Sequence, residues 1–257
     1  MPSDRLAQFE GQYSPALNLA LFSRLLAVPQ TDWPPNTVVC GFPHYDGTPS
    51  DGNTRAALDA FIAAGERPLV FGLGSSAVMI AGEFWNHAIA AAQRLGRRAI
   101  LVTGDTSERF AKLPPELKAF PYLPYSAVFP HAAAVIHSGG IGTLAQALAA
   151  GQPQLVVPVA FDQFDNAART LRLGCARTLR FSKATADALA KEIEALLASP
   201  RYAMRAQTIG EAITRENGAH AACDAIESLL RDAAAPRSAQ PGIGRPLPSV
   251  IQPRTMR

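Results

Sequence analysis

The residues best equipped for chemistry stand in one short string: His137, Ser138, Gly139, Gly140, Gly142 and Thr143 follow an apolar run ending at Ile136, and a helical pattern opens at Thr143. A strand, a glycine turn and a helix start make an anion site. The first backbone N–H groups of a helix have no partner inside it, and the macrodipole places partial positive charge at that end. Phosphate oxygens fit there provided that no Cβ at Gly139, Gly140 or Gly142 holds them off the donors or forbids a positive φ. Further along, Asp162 and Gln163 stand side by side after Pro158-Val159-Ala160-Phe161. A carboxylate beside a carboxamide offers acceptors and donors together, which suits the vicinal hydroxyls of a hexose.

Other phosphate and catalytic motifs fit the string poorly. It lacks the G-K-[ST] of a P-loop, does not complete G-x-G-x-x-G, and no acidic residue follows at a strand end in the place that a dinucleotide fold requires. A serine nucleophile at Ser138 would need glycine two residues earlier, where Ile136 stands.

The elements that must position these residues read as alternating strands and helices. Apolar strands are expected at 68–73, 98–103, 120–122, 134–137 and 155–159, with a last edge strand at 176–179. Helices are expected at 77–95, 143–150, 166–173, 185–198 and 218–233. Strands rich in Val, Ile and Leu, each followed by a helix, imply an α/β fold: a Rossmann-like, doubly wound parallel sheet covered on both faces. In such a sheet the loops after neighbouring strands face one crevice, so Asp162 and Gln163 should converge on the ligand held by the glycine turn.

Residues 1–60, punctuated by Pro15, Pro29, Pro34, Pro35 and Pro43, read as a connector, 61–233 as the ligand-binding domain, and 234–257 as a disordered tail rich in proline and arginine. Net charge is +3 and no basic stripe interleaves with aromatics, so no nucleic-acid partner is called for. No apolar run has the length of a transmembrane segment, and the N-terminus lacks the layout of a secretion signal, which leaves the cytoplasm as the expected location. Cys40, Cys175 and Cys223 lack metal or redox spacing and read as reduced thiols.

The string H-x-G-G-x-G-T, followed by A-G-x-P-x-x-x-x-P and then D-Q, resembles the donor-binding signature of the UDP-glycosyltransferase superfamily, in particular bacterial members similar to sterol and macrolide glycosyltransferases. Phe71-Gly72-Leu73-Gly74-Ser75-Ser76 resembles the first strand and loop of that family's donor domain. Tyr122-Leu123-Pro124 stands where the family has an aromatic segment against the nucleobase, and residues 19–46 resemble its inter-lobe connector. The resemblance implies a single donor lobe of the two-lobed GT-B architecture, with a nucleoside-diphosphate sugar, UDP-sugar first, as co-substrate and neither metal nor cofactor.

The resemblance also implies roles. His137 would touch the donor α-phosphate through its ring or backbone N–H; a strand-end histidine bonded to a neighbouring carbonyl is the alternative. Ser138, Gly139, Gly140, Gly142 and Thr143 would hold the diphosphate. Ser75 and Ser76 would lie near the β-phosphate or simply cap the following helix, and Tyr122 with Leu123 would meet the nucleobase unless Tyr122 belongs to the core. Asp162 and Gln163 would bond the transferred sugar or cap the helix after them, and Gln146 is a substitute candidate for the ribose. The family's catalytic base, a histidine oriented by an aspartate in the N-terminal lobe, has no counterpart; His44 is the sole histidine of 1–60 and stands in the connector. The chain therefore reads as a glycosyltransferase half that binds donor and needs an acceptor lobe, separate or lost, for inverting transfer to a lipid, sterol or small-molecule hydroxyl. A nucleotide-binding α/β protein without transferase activity is the competing reading.

Overall fold

The computed structural model describes residues 13–45, 51–74, 81–104, 109–110 and 112–234. Ser75 and Ser76, the opening of the helix expected over 77–95, and the tail from 235 onward lie outside the described residues. Six strands form one parallel sheet in the order β5-β4-β3-β6-β7-β8. They are β3 (Leu69–Phe71), β4 (Ala99–Val102), β5 (Leu117–Phe120), β6 (Ala134–His137), β7 (Gln154–Val156) and β8 (Ala176–Thr178). Every residue of β3, β4, β6 and β7 is buried, as expected of central strands covered on both faces.

The two faces divide by alternation along each strand. Leu69, Phe71, Leu101, Ile136 and Leu155 pack against α2 (Phe84–Arg94) and α6 (Ala186–Ala198). On the other face, Val70, Ile100 and Val135 meet α1 (Gly52–Ala63), α3 (Tyr125–Val128) and Ala147 of α4 (Ile141–Ala149). α5 (Gln163–Leu173) precedes β8 and ends at Gly174, whose φ of +78° supplies the left-handed stop. α7 (Pro200–Ile213) and α8 (Gly218–Ala234) follow. The strand order reverses between β3 and β6, so the crevice outside their carboxyl ends is the topological switch point.

The expected fold class is borne out, with several elements displaced. The connector contains a separate two-stranded parallel sheet, β1 (Asn18–Ala20) with β2 (Thr37–Val39). Asn18 donates from Nδ2 to the Ser14 and Pro35 carbonyls, and Asn36 donates to that of Pro15, so asparagines satisfy the backbone that prolines leave irregular. α1, capped by Asp51 Oδ1 accepting from the Asn53 and Thr54 N–H groups, was not expected. Its Leu58 and Phe61 are buried in the core of the sheet, so a boundary at residue 60 cuts through a helix of the domain. The strand expected at 120–122 is instead Leu117–Phe120, because Leu117 and Phe120 turn inward while Pro121 and Tyr122 are exposed.

Candidate nucleotide-sugar site

β6 delivers His137 to the switch point with its side chain fully buried. Its Nδ1 accepts the Gly139 N–H at 3.0 Å, which requires the proton on Nε2, and Nε2 lies 2.9 Å from Gln154 Oε1. Burial lowers the ring's pKa from 6.5 to about 4, partly opposed by the Gln154 bond, so the imidazole is neutral at physiological pH. Both ring nitrogens thus hold the turn, which leaves the backbone N–H as the other route for the expected phosphate contact. The alternative partner, a carbonyl, is also replaced, by a backbone N–H and a carboxamide.

Gly139 has φ +88°, and an added Cβ would stand 2.8 Å from Val156 Cγ1 and 3.3 Å from the Gln163 carbonyl oxygen. Glycine is required there by the packing of the turn on β7 and α5, and its N–H is engaged by His137 Nδ1. The Ser138 hydroxyl donates to the Leu73 carbonyl, two residues beyond the end of β3.

Gly140 and Gly142 differ: a Cβ at either would meet open space. Gly140 caps α4 without a side-chain bond. The helical ladder begins with Leu144 N–H on Gly140 O, so the N–H groups of Ile141, Gly142 and Thr143 belong to the unladdered first turn. Thr143 bonds the Tyr125 hydroxyl, which also bonds the Gly74 backbone; burial raises the Tyr125 pKa, against these two bonds. Tyr125 stacks on Phe129 with ring centroids 4.3 Å apart. This tyrosine joins β3, α3 and α4, and its role was missed although it stands three residues after Tyr122.

The acid–amide pair lies on the same side as the glycines, since the Gln163 backbone is in contact range of Gly139. Asn166, also missed, makes the link: its Nδ2 donates to Gly139 O at 2.9 Å and to Asp162 Oδ2 at 2.8 Å. Four residues separate Asp162 from Asn166, one helical turn, which was the available signal. Asp162 occupies the cap position of α5 but makes no side-chain capping bond, so its carboxylate does not serve as a cap. Gln163 is buried, and its Oε1 turns back to accept from Val159 N–H at 2.8 Å and Ala160 N–H at 3.2 Å. That oxygen braces the loop before α5. Immediately before the pair, Phe161 holds φ +55° with its side chain 89% exposed.

A cavity of about 830 Å³ opens beside the first turns of α4. Gly74, Tyr125, Gly142, Thr143 and Gln146 line one side, and the loop with Tyr122 and Leu123 another. Tyr122 is half-exposed on this wall and so is not a core residue, whereas the Leu123 side chain is buried in the core. Such a volume holds a cofactor-sized ligand. Among the described residues no three His, Cys, Asp or Glu side chains gather as a metal group, and no helix is long and apolar enough to cross a membrane.

Residues 86–226, more than half of the chain, match the family described as Erythromycin biosynthesis protein CIII-like, C-terminal domain. The chain belongs to that family. The resemblance drawn from the glycine and D-Q motifs is borne out. The chain is similar to the O-mycaminosyltylonolide 6-deoxyallosyltransferase of Streptomyces fradiae, with 36% identity over 215 residues covering 83% of this chain and 50% of that enzyme. It spans about half the length of this curated relative. Among solved structures, the glycotransferase of kitacinnamycin superposes with a TM-score of 0.68 at 23% identity, covering 84% of this chain and 55% of that one. The spinosyn rhamnosyltransferase SpnG complexed with thymidine diphosphate also gives 0.68, at 24% identity, covering 84% and 57%. Both likenesses establish the fold of the CIII-like domain as that of one lobe of a GT-B glycosyltransferase.

Proposed function

We propose that this domain binds a nucleoside-diphosphate sugar and presents it for metal-independent, inverting transfer to a hydroxyl acceptor. The observation that carries the reading is the open first turn of α4, facing the cavity, with Asp162 held through Asn166 to the Gly139 carbonyl just before that turn. The diphosphate lies on the Ile141–Thr143 N–H groups, the nucleoside runs toward Tyr122 and Gln146, and the sugar reaches Asp162. UDP and dTDP are the donor nucleotides to consider, the second because SpnG was obtained with thymidine diphosphate.

As the glycosidic bond to the diphosphate breaks, negative charge grows on the leaving phosphate. The helix end stabilises it by up to ~2 kcal/mol, and each hydrogen bond to the charged group by ~1.5–3 kcal/mol. This preorganised field does for the leaving group what a metal would otherwise do. Transfer also needs a base for the acceptor proton. We assign that base and the acceptor site to a second lobe, on the same polypeptide or on a partner subunit.

Titration calorimetry of the chain with UDP, dTDP, their sugar conjugates and NAD tests the reading. Saturable binding of UDP or dTDP and not NAD is expected, with Asp162→Ala losing the preference for the sugar conjugate over the free diphosphate. Binding of NAD alone, or steady glycosyl transfer by the chain without a second lobe, would overturn it.

A further inference from the structure

The connector forms a wall of the cavity. Phe42, Pro43, His44 and Tyr45 line it next to α4, together with Leu21. This stretch is anchored on several sides. Phe42 is buried against Leu144 and Leu148 of α4, Ser23 Oγ donates to Glu216 Oε1 at 2.6 Å, and Tyr45 O accepts from Gln146 Nε2 at 3.2 Å. Gly41, at φ +98°, packs so closely on Gly218 that a Cβ on the latter would collide with the Gly41 carbonyl. As a sequence, His44 stands in a connector and does not match the family's catalytic base. The Phe42 and His44 rings stand 6.2 Å apart, and His44 is exposed on the cavity wall between the buried Phe42 and the carbonyl of Tyr45 that Gln146 holds.

The geometry has a direction. Gln146 lies four residues beyond Gly142, about 6 Å along the helix axis. At that level Tyr45 is bonded to Gln146, and His44, Tyr45 and Tyr122 all line the cavity, which is where a nucleoside would lie if the diphosphate on the first turn of α4 runs along the helix. Imidazole offers a donor and an acceptor to ribose hydroxyls. We propose that the connector is part of the nucleoside site, and that His44 hydrogen-bonds the ribose of the bound nucleoside diphosphate. This assignment rests on the functional reading above and adds the subsite that the connector contributes.

The experiment compares wild type, His44→Ala and His44→Gln by calorimetry with UDP and with inorganic pyrophosphate, and records melting temperature for each. His44→Ala is expected to weaken UDP binding three- to tenfold, the range of one net hydrogen bond, while pyrophosphate affinity and melting temperature hold. His44→Gln, which keeps a donor and an acceptor, should recover most of the affinity. Unchanged UDP affinity in His44→Ala overturns the proposal, and so does an equal loss for pyrophosphate, which would put the ring on the phosphates. Failure of wild type to bind any nucleoside diphosphate would instead remove the functional reading itself.

Discussion

Two adjoining stretches, His137–Gly139 and Gly140–Thr143, look alike as sequence and behave oppositely in the structure. In the first, the polar side-chain atoms and the Gly139 N–H are spent inside the protein: His137 on Gly139 and Gln154, Ser138 on Leu73. In the second, the glycines face open space and the unladdered N–H groups begin. A binding motif thus contains a frame and a gripping part, and composition does not separate them. The separation decides which substitutions should cost folding and which should cost only ligand.

The frame is broken most directly by Gly139→Ala. The left-handed φ and the approach to Val156 and the Gln163 carbonyl both oppose a Cβ, so a loss of about 3 kcal/mol in unfolding free energy is expected in urea titration. A loss under 1 kcal/mol would mean that this stretch yields easily and that the contrast is false.

A pH series tests the same frame through His137. Its folded pKa of about 4 lies below the unfolded value near 6.5, so its stabilising contribution is complete above pH 6.5 and disappears as the pH falls through 4. The full difference is about 3 kcal/mol, which the imidazolium regains in the unfolded chain. Unfolding midpoints of wild type should fall between pH 7 and 4.5 by more than those of His137→Gln. Parallel decline in the two proteins would contradict the buried neutral ring.

Gly142→Ala is the opposite case. Its Cβ enters open space within a helix, where alanine is favoured over glycine by roughly 0.5–1 kcal/mol, so stability should hold or rise slightly. The same methyl intrudes where the diphosphate is proposed to lie, and UDP affinity should fall about tenfold, equivalent to about 1.4 kcal/mol. A destabilised variant with intact affinity would exchange the roles of the two stretches.

How far this contrast could be foreseen depends on the range of the interactions involved. Continuous apolar runs disclosed β3, β4, β6 and β7, and the glycines before an apolar helical pattern disclosed the site, because strand, turn and helix start are local signals. The His137–Gln154 pair joins residues 17 apart on neighbouring strands, and nothing in either segment alone announces it. β1 and β2 escaped because each has three residues in a proline-rich setting. α1 buries only Leu58 and Phe61 along its length, too sparse a stripe to stand out. α7 buries Tyr202, Ile209 and Ile213, but Ala206 and Gly210 share that face, and Gly210 lies against Gly151, so the apolar stripe is interrupted by small residues. The part of the site supplied by the connector was illegible for a further reason, since it exists only once Phe42 is buried against α4.

Ser138→Ala gives the smallest and most discriminating effect. Its hydroxyl joins the segments just beyond β3 and β6, and its removal leaves the Leu73 carbonyl without that donor, for an expected loss of about 1 kcal/mol. Were Ser138 a phosphate ligand, the substitution would spare folding and reduce UDP affinity by an order of magnitude, as at Gly142. As a member of the frame it should do the reverse, lowering the unfolding midpoint while UDP binding changes less than about threefold, within the range of one weak net hydrogen bond. Two measurements on one variant therefore locate the border between frame and grip at Gly139, where the φ of +88° turns the chain from one to the other.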